Sequence, residues 1–382
     1  MGVGLAVVAA GGAGWAVYAK LDSNITPDEA AAAELARYEK ERPTSLVRGA
    51  QNVLLIGSDS RAGNANRRYG RDSGTERSDT TILLHLSAER RSATAVSIPR
   101  DLMVNVPGCR RPDGTRSDPM FAMFNHSFQV GGSACTIRTV ERLTNIRMDH
   151  HMVVDFHGFK EMVDALHGVE ICLAKPIDDK AAKLRLPAGK VTLNGEQALG
   201  YVRARKSLGD GSDTDRIHRQ QRFLAALVHK VQSNDVLLNP VRLYPVLDAA
   251  TSSLTTDPAL ASLRGLYELV RGVRDIPTER VQFLTVPRES YRYNANRDQL
   301  AEPEAARLFE RLRTDTPVEV TDSPGMHPAS PHDPSHRSSR TGDGKSATEQ
   351  SDEPTGHSGP TSGPTPPPPT FRGNTAAENP CR

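Results

Sequence analysis

The chain has 382 residues, of which 37% are hydrophobic and 25% charged. Lys and Arg number 48 against 46 Asp and Glu, a formal charge of +2, so no global basic field exists to hold nucleic acid by counterion release. Four cysteines without a C-x-x-C pair exclude a zinc ribbon and a thioredoxin-like motif, and a single long apolar run excludes a multi-pass membrane protein.

That apolar run opens the chain. Residues 2–18 read GVGLAVVAAGGAGWAVY without a charge, and Trp15 and Tyr18 suit a bilayer interface. Residues 2–19 are therefore expected to be a transmembrane anchor, though slightly short of the ~20 residues a span usually takes. The charged, alanine-rich DEAAAAELARYEKER follows, and 20–44 is expected to be a helical stalk ending near Pro43. From 318 to 382 Pro, Ser, Thr and Gly dominate, with Pro366 to Pro369 in a row. Such a segment cannot bury enough surface to offset its ordering entropy, so it is expected to be a disordered tail. One large domain remains, 45–317.

Within this domain, short apolar runs predict strands over 52–57, 80–86, 93–98, 151–156, 169–173 and 281–286. Helical periodicity predicts helices over 134–143, 159–166, 195–203, 215–231, 258–273 and 302–312. Strands alternating with helices indicate an α/β fold, an αβα sandwich with a central, mostly parallel or mixed sheet. Its chemistry is expected in loops at strand ends.

Charged clusters occupy those positions. Gly57-Ser58-Asp59-Ser60-Arg61 follows the first strand, Arg77-Ser78-Asp79-Thr80 precedes the second, and Pro99-Arg100-Asp101 follows the third. If the first two strands are neighbours, Asp59 and Asp79 meet at one sheet end. There they would repel unless a cation sits between them, and Mg²⁺ suits one or two carboxylates plus phosphate oxygens. The alternative is that both pair with Arg61, Arg77 and Arg100. A fourth cluster, YVRARKSLGDGSDTDRIHRQQR, spans Tyr201 to Arg222. Stepping back at helical spacing from Phe223 gives Gln220 and Arg216, so both face inward. An inward arginine is costly without an anion. With Arg203 and Arg205 it makes either an internal salt-bridge network with Asp59, Asp79 and Asp101, or a convergent site for phosphate or pyrophosphate.

Other constellations are weaker. Ser58 lacks the G-x-S-x-G elbow of serine hydrolases. His150 and His151 are adjacent in a strand, point to opposite faces, and cannot pair on a metal by themselves. Cys109 and Cys135 flank a polar loop that a disulfide would close in a domain outside the cytoplasm, with Cys172 left as a buried thiol.

At these residues the sequence resembles the LytR–CpsA–Psr family of bacterial envelope proteins. The segments that carry the resemblance are NVLLIGSDSR, RSDTTILLHL, ATAVSIPRDLMV, FNHSFQVGG, VVDFHGFKEMVDALHGVEI, LPAGKVTLNGEQALGYVRAR and DRIHRQQRFL, in family order, from about Asn52 to Val231. The resemblance implies a cell-membrane protein with a single N-terminal span and an extracytoplasmic catalytic domain. It implies a phosphotransferase that moves a glycopolymer from an undecaprenyl-pyrophosphate carrier to a peptidoglycan acceptor, with Mg²⁺, or Mn²⁺ in its place, as cofactor. Carried over by motif, Asp59 and Asp79 match the metal-associated carboxylates. Arg100 matches the arginine of the PRD motif, and Arg203, Arg205, Arg216 and Gln220 match the pyrophosphate-binding set, to which Arg61 is a further candidate. Asp79 and Asp101 are the available bases for an acceptor hydroxyl. One position departs from the pattern: many members have Lys before the Ile-Asn that reads Phe124-Asn125 here, and this chain has Met123. Three other readings compete with the transferase: a polyprenyl-phosphate-binding module without turnover, a pyrophosphatase acting on the same lipid, and a transcriptional attenuator. The last is disfavoured by the absence of a helix-turn-helix signal and of net basic charge.

Overall fold

The computed structural model describes residues 2–58, 78–204, 213–232, 240–322 and 370–378. Helix α1 (Gly2–Asn24) leads into a short strand β1 (Thr26–Pro27) and helix α2 (Glu29–Arg37). Strands β2 (Gln51–Ser58), β3 (Ser78–Leu86) and β4 (Ala93–Ile98) follow, then the paired β5 (Met103–Val106) and β6 (Met120–Met123). Helix α3 (His126–Thr144), strand β7 (His150–Asp155) and helix α4 (Phe156–Ala165) come next. Two small antiparallel pairs are made by β8 (Val169–Leu173) with β11 (Gly189–Leu193), and by β9 (Ile177–Asp179) with β10 (Leu184–Leu186). After them come α5 (Gly195–Arg203), α6 (Asp213–Gln232), α7 (Pro240–Ser252), β12 (Leu254–Thr256), α8 (Leu263–Arg274) and β13 (Val281–Thr285). The hairpin of β14 (Arg288–Tyr291) and β15 (Asn294–Leu300), helix α9 (Glu304–Arg313), and strands β16 (Glu319–Asp322) and β17 (Thr370–Thr375) complete the described chain.

The main sheet has the order β1-β12-β7-β2-β3-β4-β13-β17-β16. It is mixed: β2·β7 and β4·β13 are parallel, while β2·β3, β3·β4 and β13·β17 are antiparallel. Alternate side chains go to opposite faces. Leu54, Ile56, Leu83, Val96 and Ile98 meet α2, α3 and α9 on one face. Ile82, Ala93, Ala95 and Phe283 meet α6 and α8 on the other. Both faces are covered, which is why β4 is buried at all six positions and reads as a continuous apolar run. The αβα sandwich expected from the sequence is present, in its mixed form.

Three expectations need correction. The segment 20–44 is not a separate stalk. Ala31 and Leu35 lie one helical turn apart on α2 and are buried in the main core, so this charged, alanine-rich helix carries a packing stripe. Arg42 then ties the linker down through Glu141, with Nη2 to Oε1 at 2.7 Å. The 318–382 tail includes sheet: Glu319–Asp322 and Thr370–Thr375 are paired strands, and β17 lies directly against β13. Composition averaged over 318–382 hid the TFRGNT run. Residues 323–369 and 379–382 lie outside the described residues. Cys172 is disulfide-bonded, not a buried thiol. In β8 it alternates with Val169, Ile171 and Leu173, which point inward, so its sulfur is on the half-exposed side. The N-terminal run does form a helix, α1. Among the described residues no helix is long and apolar enough to cross a membrane. The end of α1 is fixed to the domain, with Leu21 only 3% exposed and Asn24 Nδ2 donating to Asp248 Oδ1 at 2.9 Å.

The expected Cys109–Cys135 disulfide is formed, across a sequence separation of 26. Both residues are buried, and α3 kinks beside them at Gly131 and Gly132. A Cβ on Gly131 would stand 2.9 Å from the Cys135 Cβ and 2.8 Å from the Arg110 carbonyl, so only glycine lets the helix pass the crosslink. Closing a loop of this size contributes ~3 kcal/mol in the chain-entropy model. Cys109→Ser/Cys135→Ser is expected to lose about that much in denaturant unfolding; an unchanged midpoint would show that the crosslink adds nothing.

Asp28 joins three elements. It caps α2 by accepting from Ala31 N at 3.0 Å, and its other oxygen accepts from Ser133 Oγ of α3 and from His151 Nε2 of β7 at 3.1 Å. Burial pushes its carboxyl up, but the hydrogen bonds from His151, Ser133 and Ala31 outweigh this and hold it below the ordinary 3.8. A depressed carboxylate stabilises the fold above its unfolded pKa and loses that contribution as pH falls through its folded one. Urea midpoints of the wild type should therefore drop between pH 5 and pH 3, and Asp28→Asn should flatten that drop. Equal slopes for both proteins would refute the assignment.

Candidate functional site

Strand register creates the site. β2 ends with Ser58 opposite Asp155 of β7 and Ser78 of β3, and Thr285 of β13 lies opposite Ser97 of β4. The carboxyl ends of β2, β4, β7 and β13 and the start of β3 therefore share one edge of the sheet. β2 leads from this edge into Asp59, β3 starts at it with Ser78 and Asp79, and β4 leads from it into Arg100 and Asp101; such crevices are where open α/β sheets bind ligands. The first two predicted strands are indeed neighbours. Asp59, Arg61 and Arg205 lie outside the described residues, and Asp79 is described only as a backbone position of β3.

Helix α6 crosses this edge. Gln220 Nε2 donates to Thr80 Oγ1 at the start of β3, 3.1 Å away, and to the Val202 carbonyl of α5, at 3.3 Å. Gln221 Nε2 donates to Ser97 Oγ at 3.4 Å and Thr285 Oγ1 at 3.3 Å, spanning the ends of β4 and β13. Further along, Phe223 packs on Phe159 with ring centroids 5.4 Å apart, and Ala225 enters the sheet core. Arg216 precedes Gln220 by about one turn, ~6 Å of rise, so it lies at the end where the strands stop. It is 4% exposed, as the inward spacing predicts. Arg219 is equally buried and donates through Nη2 to the Ala204 carbonyl. Residues three apart on a helix are neighbours, and two buried guanidiniums on one stripe are a donor set that suits an anion. Arg203, at the end of α5, lies over the Phe156 ring, 4.6 Å from its centroid.

On the far side of the edge, Arg100 Nε is 3.4 Å from Asp101 Oδ2, and Arg297 Nη1 of β15 is 3.3 Å from Asp101 Oδ1. Each Asp101 oxygen thus faces a guanidinium. Asn125 donates its backbone N–H to the Arg100 carbonyl at 3.1 Å. Its side chain is 6% exposed, and among the described residues its Oδ1 has no hydrogen-bond partner.

The structure thus brings Arg203, Arg216 and Gln220 to the same sheet edge as the Arg100–Asp101 loop. Sequence reasoning missed Arg219, Gln221, Arg297 and Asn125. Arg219 was within reach, since it lies three residues after Arg216 and four before Phe223 on the same stripe. Arg297 carried no local signal, because its position depends on a hairpin nearly 200 residues away in sequence from Asp101. A cavity of about 410 Å³ opens at the ends of β2 and β7, with Ser58, Asp155, Phe128 and Val153 in its wall. A larger one of about 510 Å³ lies between the 38–44 linker and α3, away from the strand ends.

The LytR_cpsA_psr family model matches residues 21–314. Among curated proteins, the chain is 35% identical over 266 residues to the cell wall biosynthesis protein LcpA of Corynebacterium glutamicum, covering 63% of this chain and 50% of that one. It is 29% identical over 292 residues to the polyisoprenyl-teichoic acid–peptidoglycan teichoic acid transferase TagT of Bacillus subtilis, covering 71% and 80%. The chain spans about half the length of the Corynebacterium glutamicum relatives LcpB and LcpA. Among solved structures, Bacillus subtilis TagV superposes with a TM-score of 0.56 at 21% identity, over 71% of this chain and 98% of that one. An enzyme of this family from Actinomyces oris gives 0.55 at 21%, over 71% and 93%. These two likenesses speak for the fold; the family match covers most of the chain, from α1 to the end of α9. The chain belongs to the LytR–CpsA–Psr family.

Proposed function

We propose that this protein is a membrane-anchored phosphotransferase that moves a glycopolymer from an undecaprenyl-pyrophosphate carrier to peptidoglycan. The observation that carries this reading is the stripe of buried Arg216 and Arg219 with half-buried Gln220, whose side chain is hydrogen-bonded at the strand ends. Transfer of the polymer together with its phosphate forms a phosphodiester with the acceptor hydroxyl and breaks the P–O–P bond of the carrier pyrophosphate, so charge grows on the departing lipid phosphate, and preorganised guanidiniums stabilise it where it develops. The names of the relatives support the substrate class: TagT and its like are teichoic acid transferases that act from polyisoprenyl-linked donors to peptidoglycan.

Arg216, Arg219 and Arg203 would bind the pyrophosphate, and Gln220 would fix the helix that presents them. Arg100, held by Asp101, would meet the same phosphates from the opposite side of the edge. With both its oxygens facing arginines, Asp101 suits orientation of Arg100; Asp79 is the remaining carboxylate for the acceptor hydroxyl's proton, a role it fills only through an oxygen that is not on the metal. Mg²⁺, or Mn²⁺, would be held by Asp59 and Asp79. The Ser58–Ser78 pairing supports this by bringing the two flanking stretches of chain to one point, and carboxylates plus phosphate oxygens are a donor set such an ion prefers. Bound there, it would neutralise charge on the pyrophosphate.

The anchor is assigned to the uncharged run at the start of α1, where Trp15 and Tyr18 are exposed near its outer end, as interfacial aromatics are. An extracytoplasmic domain agrees with the Cys109–Cys135 disulfide. Incubation of the full chain with a lipid-linked glycopolymer, Mg²⁺ and peptidoglycan should yield polymer covalently joined to the wall. Release of phosphorylated polymer into water would instead make it a lipid pyrophosphatase. Tight donor binding without either product would make it a binding module, the reading that Met123 in β6 favours.

A further inference from the structure

The surface carries an aromatic row that core packing does not explain. Phe121 on β6 is 53% exposed, and Tyr293, in the turn between β14 and β15, is 70% exposed. Tyr291 lies between them, with ring centroids 6.0 Å from Phe121 and 5.4 Å from Tyr293. The Arg292 guanidinium covers the Tyr293 ring, 4.4 Å from its centroid. Contiguous exposed rings of this kind mark a binding surface more often than an accident of packing.

The row is joined to the strand-end site. β13 runs beside β4, so the β14–β15 hairpin leaves the sheet where Arg100 stands. Leu102 bridges to Asp298, Asp298 N donates to the Asp101 carbonyl at 3.3 Å, and Arg297 pairs with Asp101. Arg288 and Asp298 lock the hairpin at 2.5 Å. Phe121 is two residues from Met123, hence on the same side of β6, and Met123 pairs with Met103 just past this loop. The rings therefore lead outward from the Arg100–Asp101 loop. They also approach from the opposite side to α6: the β5–β6 pair packs with α3 on one face of the sheet, while α6 covers the other.

We infer that Phe121, Tyr291 and Tyr293 form a stacking platform for the acceptor glycan, which lies across the rings and extends its reacting hydroxyl toward the Arg100–Asp101 loop. This rests on the transferase reading. The C–H faces of pyranose rings carry partial positive charge and settle on the negative faces of aromatic rings. Tyrosine and phenylalanine lose little conformational entropy in doing so. Arg292, Asn294 and Asn296 are exposed on the same hairpin and can donate to hydroxyl and N-acetyl oxygens. A row of rings tilted 51° and 68° to one another, with interleaved polar groups, suits a saccharide chain whose successive residues turn their faces along its length, whereas a prenyl tail needs an enclosed apolar wall. The donor occupies the α6 side, and a platform on the other face leaves the acceptor its own approach.

The test is co-sedimentation of the full chain with peptidoglycan sacculi stripped of attached polymers, beside binding of undecaprenyl pyrophosphate in detergent micelles. Phe121→Ala/Tyr291→Ala/Tyr293→Ala should weaken sacculus binding roughly tenfold or more, with the lipid interaction unchanged. Tyr293→Phe should bind like the wild type, because the ring and not the hydroxyl is used. Should the triple variant fold poorly, Tyr293→Ala alone, at the most exposed ring, should weaken binding several-fold. Wild-type sacculus binding by the variants overturns the platform. So does a loss of binding to anionic vesicles in place of sacculi, which would make the rings a membrane contact, and so does a wild type that does not bind sacculi at all. Ring-dependent sacculus binding without any lipid binding would uphold the platform and sink the transferase reading.

Discussion

Arg216→Ala is expected to lower polymer transfer by on the order of 10²–10³-fold while leaving the protein folded, as for the loss of one preorganised charge-stabilising donor. Arg216 is buried at the strand ends, three residues from the buried Arg219 on the same face of α6. Arg216→Lys should rescue poorly, since an ammonium lacks the planar fork that takes two phosphate oxygens at once. The opposing account makes Arg216 the neutraliser of a buried carboxylate. That account predicts ~3–5 kcal/mol of lost stability, because the partner charge would be left buried without compensation. Measuring unfolding and transfer on the same sample separates the two. A strongly destabilised variant with normal turnover per folded molecule would end the pyrophosphate assignment.

The residues that could be read from sequence are those whose position follows from local periodicity. The runs at 52–57, 80–86 and 93–98 became β2, β3 and β4 because both sheet faces are covered, so each strand advertises itself as apolar throughout. Counting back from Phe223 places Arg216 and Gln220 inward, and in the helix Arg216 is buried while Gln220 is half-buried against Thr80 and Val202. Residues fixed by distant partners stayed hidden. Arg297 faces Asp101 only because the β14–β15 hairpin returns to the end of β4. The α2 stripe has no sharp period in the sequence because alanines surround Ala31 on both sides, and packing on α3 and the sheet decides which of them is core. Pro240–Ser252 holds Pro245 inside a helix, against the usual meaning of an internal proline. The disulfide at Cys109–Cys135 was legible because two cysteines flanked one loop; Cys172 was misread because alternation in β8, and not the apolarity of the run, decides which way its sulfur points.

The C-terminal strand gives the second large effect, on stability. Phe371→Ala is expected to lower the thermal midpoint by roughly 10 °C. Phe371 is 6% exposed and belongs to the main core with Leu284, Leu308, Phe309 and Val318. Truncating a buried phenylalanine costs ~3–5 kcal/mol, and each kcal/mol moves the midpoint of a domain of this size by about 2–4 °C. Gly373→Ala attacks the same strand by adding an atom and removes nothing from the core. A Cβ there would stand 2.5 Å from the Phe283 carbonyl and 3.1 Å from the Leu284 Cβ, so β17 would have to move away from β13. With β17 displaced, Phe283 and Leu284, both nearly fully buried, would lie on an open strand edge, which is a template for aggregation. Deleting everything after Asp322 would remove β17 too, but it also removes Cys381; the two point substitutions keep every cysteine and so isolate the strand. Calorimetry of the full chain decides the matter. If both variants melt with the wild type, β17 contributes nothing to the fold, and the sheet ends at β13 in energetic terms. If both fall together, the last residues of the described chain belong to the domain that carries the site, because β13, which they cover, is the strand whose Thr285 accepts from Gln221 and holds α6 in place.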